Sequence, residues 1–369
     1  MKNRRRYKCI YVILSAVVIL AISVGCAAKK PTQASVSTQP TVESSEAPQT
    51  TSPEGTASDE SAPASDESTP ALKKTVISYA GGTCEAPTFV AYHKGFFEEE
   101  GLDVELVQTG FEQLKLGLDS GEIDAAQANF AWFKPIEQGL NIKLTAGIHT
   151  GCIKAVTPAN SGIETIADLK GKAVGVDAIG GGPQIALSAK LREVGIDPVS
   201  EVEWKAYPGP QLEEAINKGE IVAYMTWDPF PTQAHDYNGY KVLLDIGADD
   251  PFKNNYCCFV GVSAKVVQED PEKAAAITRA FLKASEWVAE NPEEAAKIAI
   301  DNKYVGGDVE LNTKLLAGYG WEPSIGQAKE NIRYYITELK TQGILESGIN
   351  EEDLYNKVFA EVIPDYKGK

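Results

Sequence analysis

Apolar positions change their period several times along this chain. Ile10 to Val24 is one unbroken apolar run behind the basic residues Lys2, Arg4, Arg5, Arg6 and Lys8. From Pro31 to Pro70 the pattern vanishes into Ser, Thr, Pro, Ala, Gln and acidic residues, with no aromatic residue and no Lys or Arg. From Leu72 on, short β-branched runs alternate with helix-period stretches. Val76 to Ala80 predicts a strand that stops at Gly81-Gly82, and the Gly81-Gly82-Thr83 turn leaves amide N–H groups uncovered. Ala86 to Glu100 predicts a helix with Pro87 in its first turn and Gly101 as its left-handed end. Asp103 to Val107 alternates acidic and apolar residues, as a half-buried strand does. The unit is strand, Gly-rich loop, helix, strand, and such a loop opens where α/β sheets bind ligands.

The alternation continues. Phe111 to Ser120 predicts a helix ended by Gly121; Ile123 to Phe130, Leu140 to Ile148 and Cys152 to Thr157 predict strands. A short helix and strand span 163–176. The Gly180-Gly181-Gly182-Pro183 loop and a helix to Glu193 follow, then strand, helix and strand at 201–207, 211–218 and 221–226. Phe259 to Val262 is a further strand. Beyond it Asp270-Pro271 caps a helix with Ile277, Phe281 and Ala284 at helical spacing, and Asn291-Pro292 opens another.

Gly95-Phe96-Phe97-Glu98-Glu99-Glu100-Gly101-Leu102-Asp103-Val104 resembles the signature of ABC-transporter substrate-binding proteins of the nitrate/sulfonate/bicarbonate type, a group that includes aliphatic-sulfonate and thiamine-pyrimidine binders. The stretch 163–176 resembles that family's entry into its second lobe. Trp227-Asp228-Pro229 resembles a phrase of the sulfonate binders, and the resemblance extends over 72–369. It implies an α/β, two-lobed periplasmic-binding-protein-like (type II) fold hinged on two crossovers, near 158–162 and 246–258. Lobe 1 is then 71–160 plus 256–369, and lobe 2 is 161–255. It further implies an extracytoplasmic receptor, not an enzyme, that captures a sulfonate, nitrate or thiamine-pyrimidine-like solute by closure and delivers it to an ABC permease. A monomer without cofactor is expected.

The ends fit that location. Residues 1–26 read as an export signal, and Cys26 before Ala27-Ala28 resembles a bacterial lipoprotein's lipidation site, although Ser23 stands where Leu is preferred. The alternative is an uncleaved anchor, for which the apolar run is short. Residues 27–70 form a disordered tether of about 35 Å mean span. Charge changes the picture only by exclusion. The formal net charge is −17, or −22 beyond residue 26, where Arg192, Arg279 and Arg333 are the remaining arginines. Nucleic-acid binding would need a basic patch.

Six loops are expected at the cleft. They are Gly82-Thr83-Cys84-Glu85, Asn129-Phe130-Ala131-Trp132, His149-Thr150-Gly151-Cys152, Gly180-Gly181-Gly182, Trp227-Asp228-Pro229-Phe230 and Tyr256-Cys257-Cys258. The helix starts after Gly82 and Gly182 would offer free N–H groups to an anion. Yet Glu85 and Asp228 are acidic, no Arg is present, and Lys134 and Lys154 are the nearest cations. A neutral or cationic heteroaromatic stacked on Trp132, Trp227 or Tyr256 therefore fits at least as well.

Cys84, Cys152, Cys257 and Cys258 all fall in these loops. Tyr256-Cys257-Cys258-Phe259 resembles part of the cysteine-rich stretch of the thiamine-pyrimidine synthases, whose longer cysteine run is missing here. Three readings of the thiols stand together: disulfides in an exported protein, buried free thiols, and a soft-metal site joined by His149. No Cys-x-x-Cys pair is present, so no metal ligands are assigned. Metal binding through these residues, or a synthase-type enzyme, is the alternative function. Against an enzyme, His93, His149 and His235 are scattered and no Gly-x-Ser-x-Gly elbow occurs. A sensory domain would call for a second long apolar run, and none follows residue 26.

Overall fold

A computed structural model describes residues 71–364. The expected export signal, Cys26 and tether lie outside the described residues. Two sheets organise the chain. The first has six strands in the order β11-β4-β10-β3-β1-β2. These are β1 (Lys73–Tyr79), β2 (Leu102–Gln108), β3 (Ala125–Asn129), β4 (Ile142–Thr150), β10 (Cys258–Ser263) and β11 (Gly320–Ser324). The second has five in the order β7-β6-β8-β5-β9. These are β5 (Ile153–Thr157), β6 (Ala173–Val176), β7 (Glu203–Ala206), β8 (Ala223–Trp227) and β9 (Lys241–Asp245).

The first βαβ unit forms as its pattern dictates: β1 and β2 pair in parallel, Lys73 opposite Leu102 through Tyr79 opposite Gln108. The expected helix over 86–100 is instead two, Ala86–His93 and Phe96–Glu99. Gly95 separates them at φ +77°, a left-handed conformation that ends the first helix and caps the second. Phe97 and Leu102 then turn into the core.

The chain leaves the first sheet about ten residues earlier than the expected crossing at 158–162. β5 belongs to the second sheet, so the crossing falls at Gly151-Cys152, with Gly151 at φ +65°. The β-branched pattern of 153–157 carries no mark of which sheet it joins. The return runs through 246–257. Strands β9 and β11 were not expected: both are short edge strands, and β11 contains Pro323, tolerated where no neighbour needs its N–H. The long helix Pro271–Glu290 is capped by Asp270, which accepts from the Lys273 amide, and buries Ile277, Phe281 and Ala284 completely.

Candidate functional site

A cleft of about 900 Å³ opens between the sheets, at the carboxyl ends of β1, β3, β6 and β8. Ten of the expected residues line it: Gly82, Cys84 and Glu85 after β1, Asn129 and Trp132 after β3, Gly181 and Gly182 after β6, Trp227 ending β8, Phe230 after it, and Cys258 opening β10. The lobes approach closely here. A Cβ on Gly182 would stand 2.9 Å from the Trp227 ring and 3.2 Å from Asn129 Oδ1, so only glycine fits. The Thr83 amide donates to the Asp228 carbonyl at 3.0 Å across the interface.

Seven expected residues sit behind this wall. Thr83 donates its hydroxyl to Asn312 Oδ1. Phe130 stacks in the core between Phe252 and Tyr335. Tyr256 is buried, its hydroxyl donating to the Glu322 carbonyl. Asp228 is fully buried and accepts from Lys154 at 2.8 Å, Thr232 and Tyr319. Burial would lower the Lys154 ammonium, but Asp228 and Asp245 reverse this and hold it above its ordinary value. It is therefore an internal counter-ion. Lys134 is paired with Glu137 on the first lobe. His149, Cys152 and Cys257 are buried against Cys84 and Cys258.

The free amides expected after β1 are occupied. Glu85 reaches back and accepts from the N–H groups of Ala80, Gly81 and Gly82 at 2.7 to 3.0 Å. Burial pushes its carboxyl up against the opposing pull of these three donors. The chain thus fills its own anion nest with a carboxylate.

Several cleft residues were not anticipated. Asp177 follows β6 at its carboxyl end; one oxygen accepts from Trp227 Nε1 at 3.0 Å and the other is buried with no side-chain partner among the described residues, while the Asp177 and Ala178 amides lean on the carboxylate. Burial raises its pKa to about 6. Gln127 Oε1 and Thr226 Oγ1 are also buried without partners and line the same cleft. Phe111, Tyr207 and Tyr304 add to the aromatic wall begun by Trp132, Trp227 and the expected Phe230, and Lys303 is the one Lys or Arg among the lining residues. The position of Asp177, where a strand meets a Gly-rich loop, was the available signal.

The cysteines converge because of strand register. Asn129 lies opposite Cys258, Cys258 opposite His149, and His149 opposite Trp321, one row across β3, β10, β4 and β11. Residues in one row share a face of the sheet. Gly151 then turns Cys152 back beneath His149, and the loop after β1 brings Cys84. One ligand atom each from Cys84, His149, Cys152 and Cys258 lies within 4.8 Å of the others. The Cys152 and Cys258 sulfurs are 3.8 Å apart, and Cys257 Sγ is 2.7 Å from Cys152 Sγ; all four cysteines are free. Burial raises Cys152 and Cys257 well above the usual thiol range. Burial acts on Cys258 the same way, but the Cys152, Cys257 and Cys84 thiols donating to it, with His149 nearby, bring it well below that range. The thiols therefore titrate as one coupled group rather than as separate sites.

Comparison with known proteins places this geometry. The model of the NMT1-like family matches residues 68–300. The chain belongs to that family. This NMT1-like chain has curated relatives at modest identity. It is 25% identical over 259 residues to the nitrate/nitrite binding protein NrtA of Nostoc sp. (strain PCC 7120), covering 63% of this chain and 58% of that one. The chain therefore spans about six tenths of that relative's length. Among solved structures, the periplasmic nitrate-binding protein NrtA from Synechocystis PCC 6803 superimposes with a TM-score of 0.67 at 18% identity, covering 78% of this chain and 86% of that one. The alkanesulfonate-binding protein SsuA from Xanthomonas axonopodis pv. citri, bound to MOPS, gives 0.65 at 16%, covering 78% and 99%. The NMT1-like chain thus has the two-lobed periplasmic-binding-protein-like fold of type II.

Proposed function

We propose that this protein is an extracytoplasmic solute receptor of an ABC importer, lipid-anchored through Cys26 and acting as a monomer. Its solute is a neutral or cationic heteroaromatic with N–H donors, of thiamine-pyrimidine type, rather than nitrate or a sulfonate. The observation that carries the solute class is the pair of carboxylates. Glu85 fills the amide nest an oxyanion would need, while Asp177 lines the cleft with one buried carboxylate oxygen that has no side-chain partner among the described residues. An anion entering here would lack that nest and face two acids, with Lys303 as the lining cation. A planar cation or donor would meet Asp177, Gln127 and Thr226 and stack on the aromatic wall. A volume of about 900 Å³ also suits an organic molecule better than nitrate. The relatives named above bind nitrate or alkanesulfonates, and they support the receptor class.

Residues 71–151 with 258–364 form one lobe and 152–257 the other in this reading, and a solute touching both favours closure, the form a permease would recognise. Calorimetric titration and Trp fluorescence of the full chain with aminopyrimidines, nitrate, bicarbonate and an alkanesulfonate test it. Micromolar binding of an aminopyrimidine, with none of the anions, is expected. Tight binding of an anion with no response to the heterocycles overturns the assignment.

A further inference from the structure

We infer that Cys84, His149, Cys152 and Cys258 form a buried site for a thiolate-seeking divalent cation of tetrahedral preference, zinc being the type case. The site goes beyond the solute reading and does not depend on it. Three sulfurs and one imidazole nitrogen are a recurrent zinc donor set. A tetrahedron with metal–sulfur arms of about 2.3 Å has edges of about 3.8 Å. The Cys152 and Cys258 sulfurs stand 3.8 Å apart, and all four donor atoms fall within 4.8 Å of one another.

A second observation is independent of the sulfurs. His149 is fully buried; its Nδ1 faces the Thr150 carbonyl at 3.3 Å, and its Nε2 has no hydrogen-bond partner among the described residues. If Nδ1 carries the proton, it donates to that carbonyl and leaves the Nε2 lone pair free, the arrangement by which proteins orient ligating histidines. Tyr319 stacks on the ring at 5.2 Å and Trp321 packs at 4.7 Å, so the imidazole is clamped. Tyr319 in turn donates to Asp228. A buried imidazole nitrogen without a hydrogen bond is costly unless something fills it. Metal entry displaces the thiol protons to solvent and changes no oxidation state. Cys257 lies outside the four-atom group. Its 2.7 Å approach to Cys152 makes a Cys152–Cys257 disulfide the rival fate of the same sulfur.

The test is a titration of the full chain, held reduced, with Co²⁺ alone. One equivalent is expected to give sulfur-to-metal charge-transfer bands and the intense visible bands of tetrahedral cobalt, both bleached by Zn²⁺. His149→Ala and Cys258→Ser should weaken binding at least tenfold and change the bands, while Cys257→Ser leaves stoichiometry and bands unchanged. Circular dichroism melting checks that the variants fold. X-ray absorption at the zinc edge of the unaltered protein needs no variant and should show a sulfur-rich shell with nitrogen. Absence of bands in folded, reduced protein overturns the site, as do bands that survive Cys84→Ser and Cys258→Ser, which mark an adventitious ion only. An oxygen-dominated zinc shell overturns it too. So does a mass two hydrogens low from a Cys152–Cys257 disulfide when the protein is purified with zinc present. Solute binding, measured separately, keeps failure of the metal site distinct from failure of the receptor reading.

Discussion

Asp177 shows how one side chain ties stability to recognition. Its pKa is raised to about 6 by burial, above the value of about 3.9 it has in an unfolded chain. Folded protein therefore holds that proton more tightly than unfolded protein. The destabilisation from ionising Asp177 grows between about pH 4 and pH 6 and is complete above it. The stability difference between the parent protein and Asp177→Asn should shift in the variant's favour over that interval, as read from urea unfolding at pH 4.5 and pH 7. Solute affinity runs the other way. A cationic or donor-bearing solute needs the carboxylate, so binding should weaken below pH 6 by up to tenfold per pH unit. In Asp177→Asn it should be at least tenfold weaker at pH 7 with that pH dependence gone, which calorimetry at two pH values reads directly. At this scale the sequence disclosed Trp227 and Glu85 as cleft residues but gave Glu85 no partner. Gly81-Gly82 reads as an open nest until the carboxylate three and four positions on is seen to curl back into it.

Among the elements, legibility followed local chemistry. The helix Phe111–Ser120 ends at Gly121, and Pro271–Glu290 begins at Asp270, as their sequences imply, because caps and left-handed glycines act within a few residues. The break at Gly95 was hidden by an apolar spacing that continues across it. Gly95→Ala forces a left-handed alanine and should cost about 1–2 kcal/mol, seen as a lower denaturant midpoint with unchanged slope. The grouping of Cys84, Cys152 and Cys258 with His149 was suspected only from shared loops. What assembles it is the insertion of β10 between β3 and β4, an ordering that short-range pattern does not encode. Edge strand β11, missed because of Gly320 and Pro323, supplies the Trp321 that holds His149 in place. Trp321→Ala should leave the sheet folded yet loosen the imidazole. The expected readout is sharper temperature dependence of the His149 ring signals in NMR, with at least a tenfold loss in Co²⁺ affinity.

On the scale of the molecule, direct polar contacts join the two lobes. Tyr237 and Asp308, Lys314 and Asp236, and the Thr83–Asp228 backbone bond all bridge them. Solute-free protein should populate more open forms, and small-angle scattering should show the radius of gyration falling when solute is added; an unchanged radius would argue against coupled closure. Both passages between the lobes, at Gly151-Cys152 and at 246–257, end beside the buried sulfurs. The filled nest after β1 reaches further than the choice of one solute. Under the receptor reading proposed above, chloride, sulfate and phosphate would abound around the protein, and a pocket that welcomed them would close on the wrong cargo. By docking its own carboxylate where such ions would land, the chain carries a permanent internal competitor at unlimited local concentration. Under that reading the amide nest is plugged rather than lost, so a change at position 85 alone would reopen it to anions.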